Sequence, residues 1–267
     1  MGLKPLYHFC TKNSMMRAIG FILGLILNYS FCIAQAADTM QSPVVFSGVI
    51  TATNNGISLL PNFSLNKPAV LFDLSVSKNR VSFDPMLRFG INGKPWSFIF
   101  WWRYKAISTP KFSLSCGAHP SFLFRSEVTN PSNPANETLV AQRYFAWEIA
   151  PQFYINPHIS AGLYYLGSHG LSPNLIQYTH FLALRSSISN ISLGGGIKFT
   201  LMPQVYYLKM DRLTGNYMTI SLAIIKSNFP LTLSTTLNKA IKTDLTGTDF
   251  VWNVGVNYNF KLKYIRH

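Results

Sequence analysis

The chain has 267 residues, of which 48% are hydrophobic, 14% aromatic and only 12% charged, with a formal net charge of +14. That length suits one large domain, and so apolar a composition excludes a disordered, strongly solvated chain. Of the three cysteines, Cys10 and Cys32 fall in a leader and Cys116 is left alone, which excludes a disulfide framework and a thiolate metal site.

In chain order the first element is an export leader. Lys4, Lys12 and Arg17 supply positive charge, no acid occurs before Asp38, an apolar stretch runs from Ala18 to about Leu27 and on to Ile33, and Ala34-Gln35-Ala36 has the small-x-small form of a cleavage site. Met1, Met15 and Met16 all serve as starts for such a leader. An uncleaved anchor helix would need roughly 20 apolar residues, and Asn28-Tyr29-Ser30 interrupt this stretch. Bulky Phe31 before Cys32 argues against a lipid-modified leader. The expected organisation is a cleaved signal peptide over residues 1–36 and one domain over 37–267. Loss of the three leader cations takes the formal charge from +14 to +11.

Twelve strand-like segments follow. Val44 to Thr53 and Ala69 to Val76 are the first two. Val81 to Ile91 then alternates Val81, Phe83, Pro85, Leu87, Phe89 and Ile91 with Ser82, Asp84, Met86, Arg88 and Gly90. Trp96 to Tyr104 sets Trp96, Phe98, Phe100, Trp102 and Tyr104 against Ser97, Ile99, Trp101 and Arg103. Further segments are Phe112 to Phe124, Phe145 to Ile155, Ile159 to Leu166, Leu175 to Ile188, Ile191 to Tyr207, Tyr217 to Ile225 and Leu231 to Leu237. Phe250 to Tyr264 closes the series with near-strict alternation broken only at Val251. Because successive strand side chains point to opposite sides, an apolar row with aromatics at both ends suits a wall between lipid and a polar interior. The fold predicted is all-β, a single antiparallel transmembrane β-barrel of twelve strands, with ten to fourteen allowed by boundary error.

Links should alternate between short periplasmic turns and longer outer loops. The turns expected are Lys78-Asn79-Arg80, Ser108-Thr109-Pro110, Asn156-Pro157-His158, Ser189-Asn190 and Ser227-Asn228-Phe229-Pro230. Outer loops are expected at Asn54 to Asn66, Glu127 to Thr138, Gly167 to Asn174, Lys209 to Asn216 and Asn238 to Asp249. Asn92-Gly93-Lys94-Pro95 falls on the outer side by count yet is as tight as a hairpin. An even strand count puts both termini in the periplasm and the protein in the outer membrane. Gly194-Gly195-Gly196, inside a strand pattern, reads as a bulge or close strand contact.

With the apolar rows on lipid, Asp73, Asp84, Arg88, Arg103, Arg125, Glu148, Lys198 and Lys261 face the lumen or its rim, joined by Lys105, Arg185 and Lys263. A lipid-facing Arg or Lys would cost ~2 to 4 kcal/mol at the bilayer middle. These groups either fill the barrel as ion pairs or, with Arg88, Arg103, Arg125 and Lys198 attracting, line a passage for anions. Trp96, Trp102, Trp147, Trp252, Tyr258 and Tyr264 read as the membrane girdle.

No motif for a nucleotide, a zinc ion or a serine nucleophile elbow occurs, so no cofactor and no metal are expected. His119-Pro120-Ser121 and His158-Ile159-Ser160 place His and Ser on one strand face. That spacing resembles the outer-membrane phospholipase, a resemblance implying His119 as base and Ser121 as nucleophile, with Asp84 the nearest candidate to orient the pair.

The leader ending Ala34-Gln35-Ala36, the repeated aromatic strands and the closing Val254-Gly255-Val256-Asn257-Tyr258-Asn259-Phe260-Lys261-Leu262 resemble a family of uncharacterised outer-membrane β-barrel proteins of Gram-negative bacteria. The run from Gly93 to Tyr104 resembles a signature of the same family. The resemblance implies insertion by the barrel-assembly machinery, which reads a terminal aromatic; here Ile265, Arg266 and His267 follow Tyr264. The expected partners are outer-membrane lipid, lipopolysaccharide phosphates that meet the basic balance, and a small anionic solute, with no nucleic acid. The expected function is a non-enzymatic barrel of porin-like type, a narrow pore or binding protein for small anionic solutes. Two alternatives stay open: a lipid acyl hydrolase using His119 and Ser121, and a soluble periplasmic β-barrel carrier.

Overall fold

Residues 42–128 and 137–264 are described by a computed structural model of the chain; the leader over 1–36 and Ile265 to His267 lie outside them. Twelve strands form: β1 (Val44–Thr53), β2 (Ala69–Lys78), β3 (Val81–Gly90), β4 (Pro95–Ser108), β5 (Phe112–Val128), β6 (Glu137–Tyr154), β7 (Ile159–Gly170), β8 (Tyr178–Gly194), β9 (Ile197–Met210), β10 (Leu213–Lys226), β11 (Leu231–Thr243) and β12 (Phe250–Tyr264). Each pairs antiparallel with its sequence neighbours. The sheet closes where β1 meets β12 in unbroken register from Val44↔Tyr264 to Thr53↔Gly255. A closed sheet leaves no strand edge with unpaired backbone groups, the condition for crossing lipid with strands.

Alternation decides what each face meets. On β12, Phe250, Trp252, Val254, Val256, Tyr258, Leu262 and Tyr264 all point outward and exposed, while Gly255 and Asn257 are buried within. Exposed Phe145, Phe153, Leu163, Leu182, Leu184, Val205, Ile224 and Leu233 continue the apolar exterior around the wall. So continuous an apolar belt is a surface for acyl chains and excludes a soluble carrier. Aromatic neighbours on adjoining strands pack along it, as in Phe83–Trp102 at 4.6 Å and Phe98–Phe124 at 5.0 Å between ring centroids.

The connections differ in length at the two ends. At the turn end, which holds the two chain ends of the barrel, Asn79 sits at φ 54° and Asn228 at φ 62° in tight links. The expected turn at Ser189-Asn190 lies elsewhere. Asn190, at φ 57°, is the extra residue of a β-bulge between Ile188 and Ile191, and the chain reverses at Gly194, Gly195 and Gly196, with φ of 86°, 59° and 74°. Three successive left-handed residues are tolerable only where no Cβ exists. At the loop end, the outer loop expected over Lys209 to Asn216 is a turn of Asp211 and Arg212, because β9 and β10 stay paired up to Met210↔Leu213. Asn92-Gly93 is likewise tight, with Gly93 at φ 78°. Residues 129–136 of the expected Glu127 to Thr138 loop lie outside the described residues.

The one long described loop, residues 54–68, turns into the barrel. It carries a single 3-10 turn, Pro61–Phe63, and is closed on itself by Gly56 N to Lys67 O at 2.9 Å and Ser58 N to Ser64 Oγ at 2.9 Å. Its Leu60 is buried with Trp101, Tyr164, Leu166, Phe181, Leu208, Met210, Tyr217 and Leu245. The loop end of the bore is therefore filled by an apolar plug.

Candidate functional site: the bore

A bulge redirects one of the aromatic residues. Arg88 pairs with Ser97 but Phe89 pairs with Pro95, so Trp96 is the extra residue of β4 and loses its place in the alternation. It lies inside at 1% exposure, with Nε1 donating to the Phe63 carbonyl at 2.9 Å. The expected girdle position for Trp96 is thus corrected: it clasps the plug. Trp102, Trp147, Trp252, Tyr258 and Tyr264 do point outward and exposed. Trp147 lies opposite Gly167, whose missing Cβ leaves room for the indole.

Beneath the plug, charged side chains from three strands meet, with hydroxyl groups from their neighbours. Arg103 of β4 donates through Nε to Glu148 Oε1 at 2.6 Å and through Nη1 to Asp84 Oδ2 at 2.9 Å. Tyr164 of β7 donates to Glu148 Oε2 at 2.6 Å, and Ser75 and Ser82 donate to Asp84 at 2.6 and 2.9 Å. The Glu148 side chain is only 3% exposed. Its position inward on β6 is tolerable because both oxygens are bonded. The Arg103 guanidinium also lies over the Trp101 ring at 4.3 Å.

The other charged residues read from sequence are dispersed. Asp73 and Lys261 line a cavity of about 540 Å³ that also receives Asp84 and Arg103. Arg88 lies over Trp96, 5.5 Å from the ring centroid. Arg125 sits on the inner phase of β5 near the loop end, two residues beyond buried Leu123. Lys198 is exposed at the turn end beside the Gly194–Gly196 reversal. Of the four cations expected to attract anions together, Arg103 is consumed by two carboxylates and Lys198 lies exposed at the far end of the barrel from Arg125.

Arg185 faces polar open space without a carboxylate in the same lining. It lines a cavity of about 510 Å³ with Gln152, Gln204, Thr219, Ser221, Thr236, Asn238 and Asn253, and its guanidinium lies 4.5 Å over the Tyr164 ring. These residues come from β6 and from β8 to β12, so they share a site only because the sheet closes. The aromatic inner row Tyr164, Phe181, Tyr206 and Tyr217, with successive centroids 5.9, 4.8 and 4.9 Å apart, was not expected of a polar lumen. The strict alternation across Tyr206-Tyr207 is its one sequence signal.

His119 and Ser121 both line a further cavity. His119 is buried edge-on to Trp101 at 4.0 Å, and its Nδ1 has no hydrogen-bond partner among the described residues. Among the described residues no hydrogen bond joins it to Ser121. The two nearby acids, Asp84 and Glu148, are held by Arg103 and by hydroxyl donors. A nucleophile, base and orienting acid are not assembled. His158 and Ser160 lie at the turn end, with His158 exposed in the link before β7. No group of three or more metal-ligating side chains occurs among the described residues.

A closed, all-antiparallel barrel with an apolar belt and a partly polar bore defines the class: the chain has the fold of outer-membrane β-barrel proteins. Among solved structures it is similar to a KdgM porin, at 11% identity over 80% of this chain and 99% of that chain, TM-score 0.51. It is also similar to a KdgM porin in complex with disordered oligogalacturonate, at 10% identity over 81% and 99%, TM-score 0.50, and to a NanC porin, at 10% identity over 79% and 98%, TM-score 0.47. At these identities the likeness is one of fold. No protein-family model matches the chain, and no curated protein matches its sequence.

Proposed function

We propose that the protein is a porin-like barrel of the outer membrane, with its turn end and both termini in the periplasm, that takes small anionic solutes into its bore. The observation that carries this reading is the Arg185 cavity. One guanidinium, with no carboxylate bonded to it among the described residues, is surrounded by neutral amides and hydroxyls. Such a lining offers donors to an anion and further partners to a hydroxylated solute, with no carboxylate among the residues lining the cavity. The KdgM porin in complex with disordered oligogalacturonate suggests short acidic oligosaccharides as probes. The apolar plug limits passage, so solute uptake requires loop 54–68 to yield or is confined to binding.

The test is planar-bilayer recording under a salt gradient, on wild type and on a variant with residues 58–64 replaced by a short Gly-Ser linker. The shortened variant should conduct with anion preference, and adding Arg185→Ala should lower that preference severalfold. Cation preference, or indifference to Arg185→Ala, would remove the proposal. Recovery of the native protein in the soluble fraction without detergent would remove the membrane location.

A further inference from the structure

On the opposite side of the inserted loop from Arg185 lies a cavity of about 310 Å³ with a different chemistry. Its walls are mainly apolar and aromatic, including Phe63, Ile99, Trp101 and Leu166. Into this setting the strands carry buried polar atoms with nothing to bond. Among the described residues Arg88 Nε and His119 Nδ1 have no hydrogen-bond partner, and His119 is 6% exposed. The Ser97, Ser121 and Ser168 side chains also line the space, and no hydrogen bond engages them among the described residues. A buried polar atom left unbonded is costly, so each is a place where a ligand atom gains more than water offers.

The charge balance sets the kind of ligand. Arg103 is neutralised by Asp84 and Glu148. Arg88 has Asp73 as its diagonal neighbour on β2, since Asp73 faces Met86 and Leu71 faces Arg88, and Asp73 is its electrostatic partner. Two cations meet three carboxylates here, so no positive charge is left over to offset the desolvation of an anion. What remains unfilled is mostly hydrogen-bond donors. We propose that this cavity is a binding site for a compact, uncharged, largely apolar molecule bearing a carbonyl or similar acceptor, with the acceptor on Arg88 Nε and the serine hydroxyls and the body against Trp101, Ile99 and Leu166. The volume lies at the small end of ligand pockets and suits a single ring or a short branched chain. The site stands whether or not the barrel conducts, because it shares neither Arg185 nor the amide-lined space.

The experiment is calorimetric titration of acetophenone into the full barrel in lipid nanodiscs, with the heat into empty nanodiscs subtracted and benzoate as the charged analogue of equal size. Saturable binding of acetophenone, at least tenfold tighter than benzoate, is expected. Leu166→Trp and, independently, Ser168→Phe fill the space and should abolish it. The Arg88→Met/Asp73→Leu pair, which leaves no charge unpaired, should weaken acetophenone about tenfold. Retained heat-modifiable migration on gels identifies folded variants. The proposal is overturned if no saturable heat exceeds that of empty nanodiscs, if both filled variants bind as wild type does, or if benzoate binds as tightly as the ketone.

Discussion

The indole of Trp96 and the main chain of Phe63 are joined by a 2.9 Å hydrogen bond, so a single bulged residue of the wall holds the loop that fills the mouth of the barrel. Trp96→Phe keeps most of the ring and removes the donor. A bond of this kind is worth about 1 kcal/mol, so amides that depend on the loop, such as Gly56 and Leu65, should exchange with deuterium roughly five times faster. Unchanged exchange would show that apolar packing alone fixes the loop.

The Arg103–Glu148 pair is a structural tie rather than a binding group. Arg103→Met leaves a buried carboxylate with only the Tyr164 hydroxyl. Removing one partner of a fully buried pair costs ~3–5 kcal/mol. Arg103 keeps 31% of its side-chain exposure, so a loss of about 2 kcal/mol in urea unfolding is expected after allowing for solvent screening. Combining it with Glu148→Gln should cost less than the sum of the single changes, because the stranded charge is removed. Additive losses would mean the two side chains are energetically independent.

The five tryptophans provide a direct map of the lipid boundary. Trp102 and Trp252 are 58% and 48% exposed on the outer face, whereas Trp96 and Trp101 are 1% and 4% exposed inside. In single-tryptophan variants reconstituted with brominated lipid, the first two should be strongly quenched and the last two nearly unaffected. Quenching of Trp101 at the level of Trp252 would invert the assignment of faces.

At the β8–β9 reversal, Gly195→Val forces a branched side chain to φ 59°, at a cost of roughly 1–2 kcal/mol. Asn190→Gly, at the neighbouring bulge, should change stability by a few tenths of a kcal/mol, because both residues accept that backbone region. Equal sensitivity at the two positions would place the reversal at Asn190.

Strand identity was legible because the period of two survives in nearly every segment; β1 and β12 begin and end at the expected residues. The glycine run and Ser189-Asn190 exchanged roles because Asn and Gly both enter the left-handed region, and local composition cannot say which becomes turn and which bulge. Trp96 was misplaced for a similar reason: a bulge shifts the phase of one residue without altering the pattern on either side. The connection Asn54 to Asn66 was expected to be an outer loop, not an insert in the bore. Leu59, Leu60 and Phe63 were its available signal, but apolar residues in a connection show only that something covers them. Arg103, Glu148 and Asp84 were expected inside, whereas their convergence, and the separation of Arg185 from Arg88, depend on strand register that alternation does not encode.

Because loop 54–68 leaves directly from β1, and β1 is the strand that completes the circle against β12, the stopper and the seam belong to one stretch of chain. The final zipping of the wall must find the loop already tucked inside or force it through a finished mouth. The first route is the cheaper, so the order in which the strands join sets whether the vessel is born sealed.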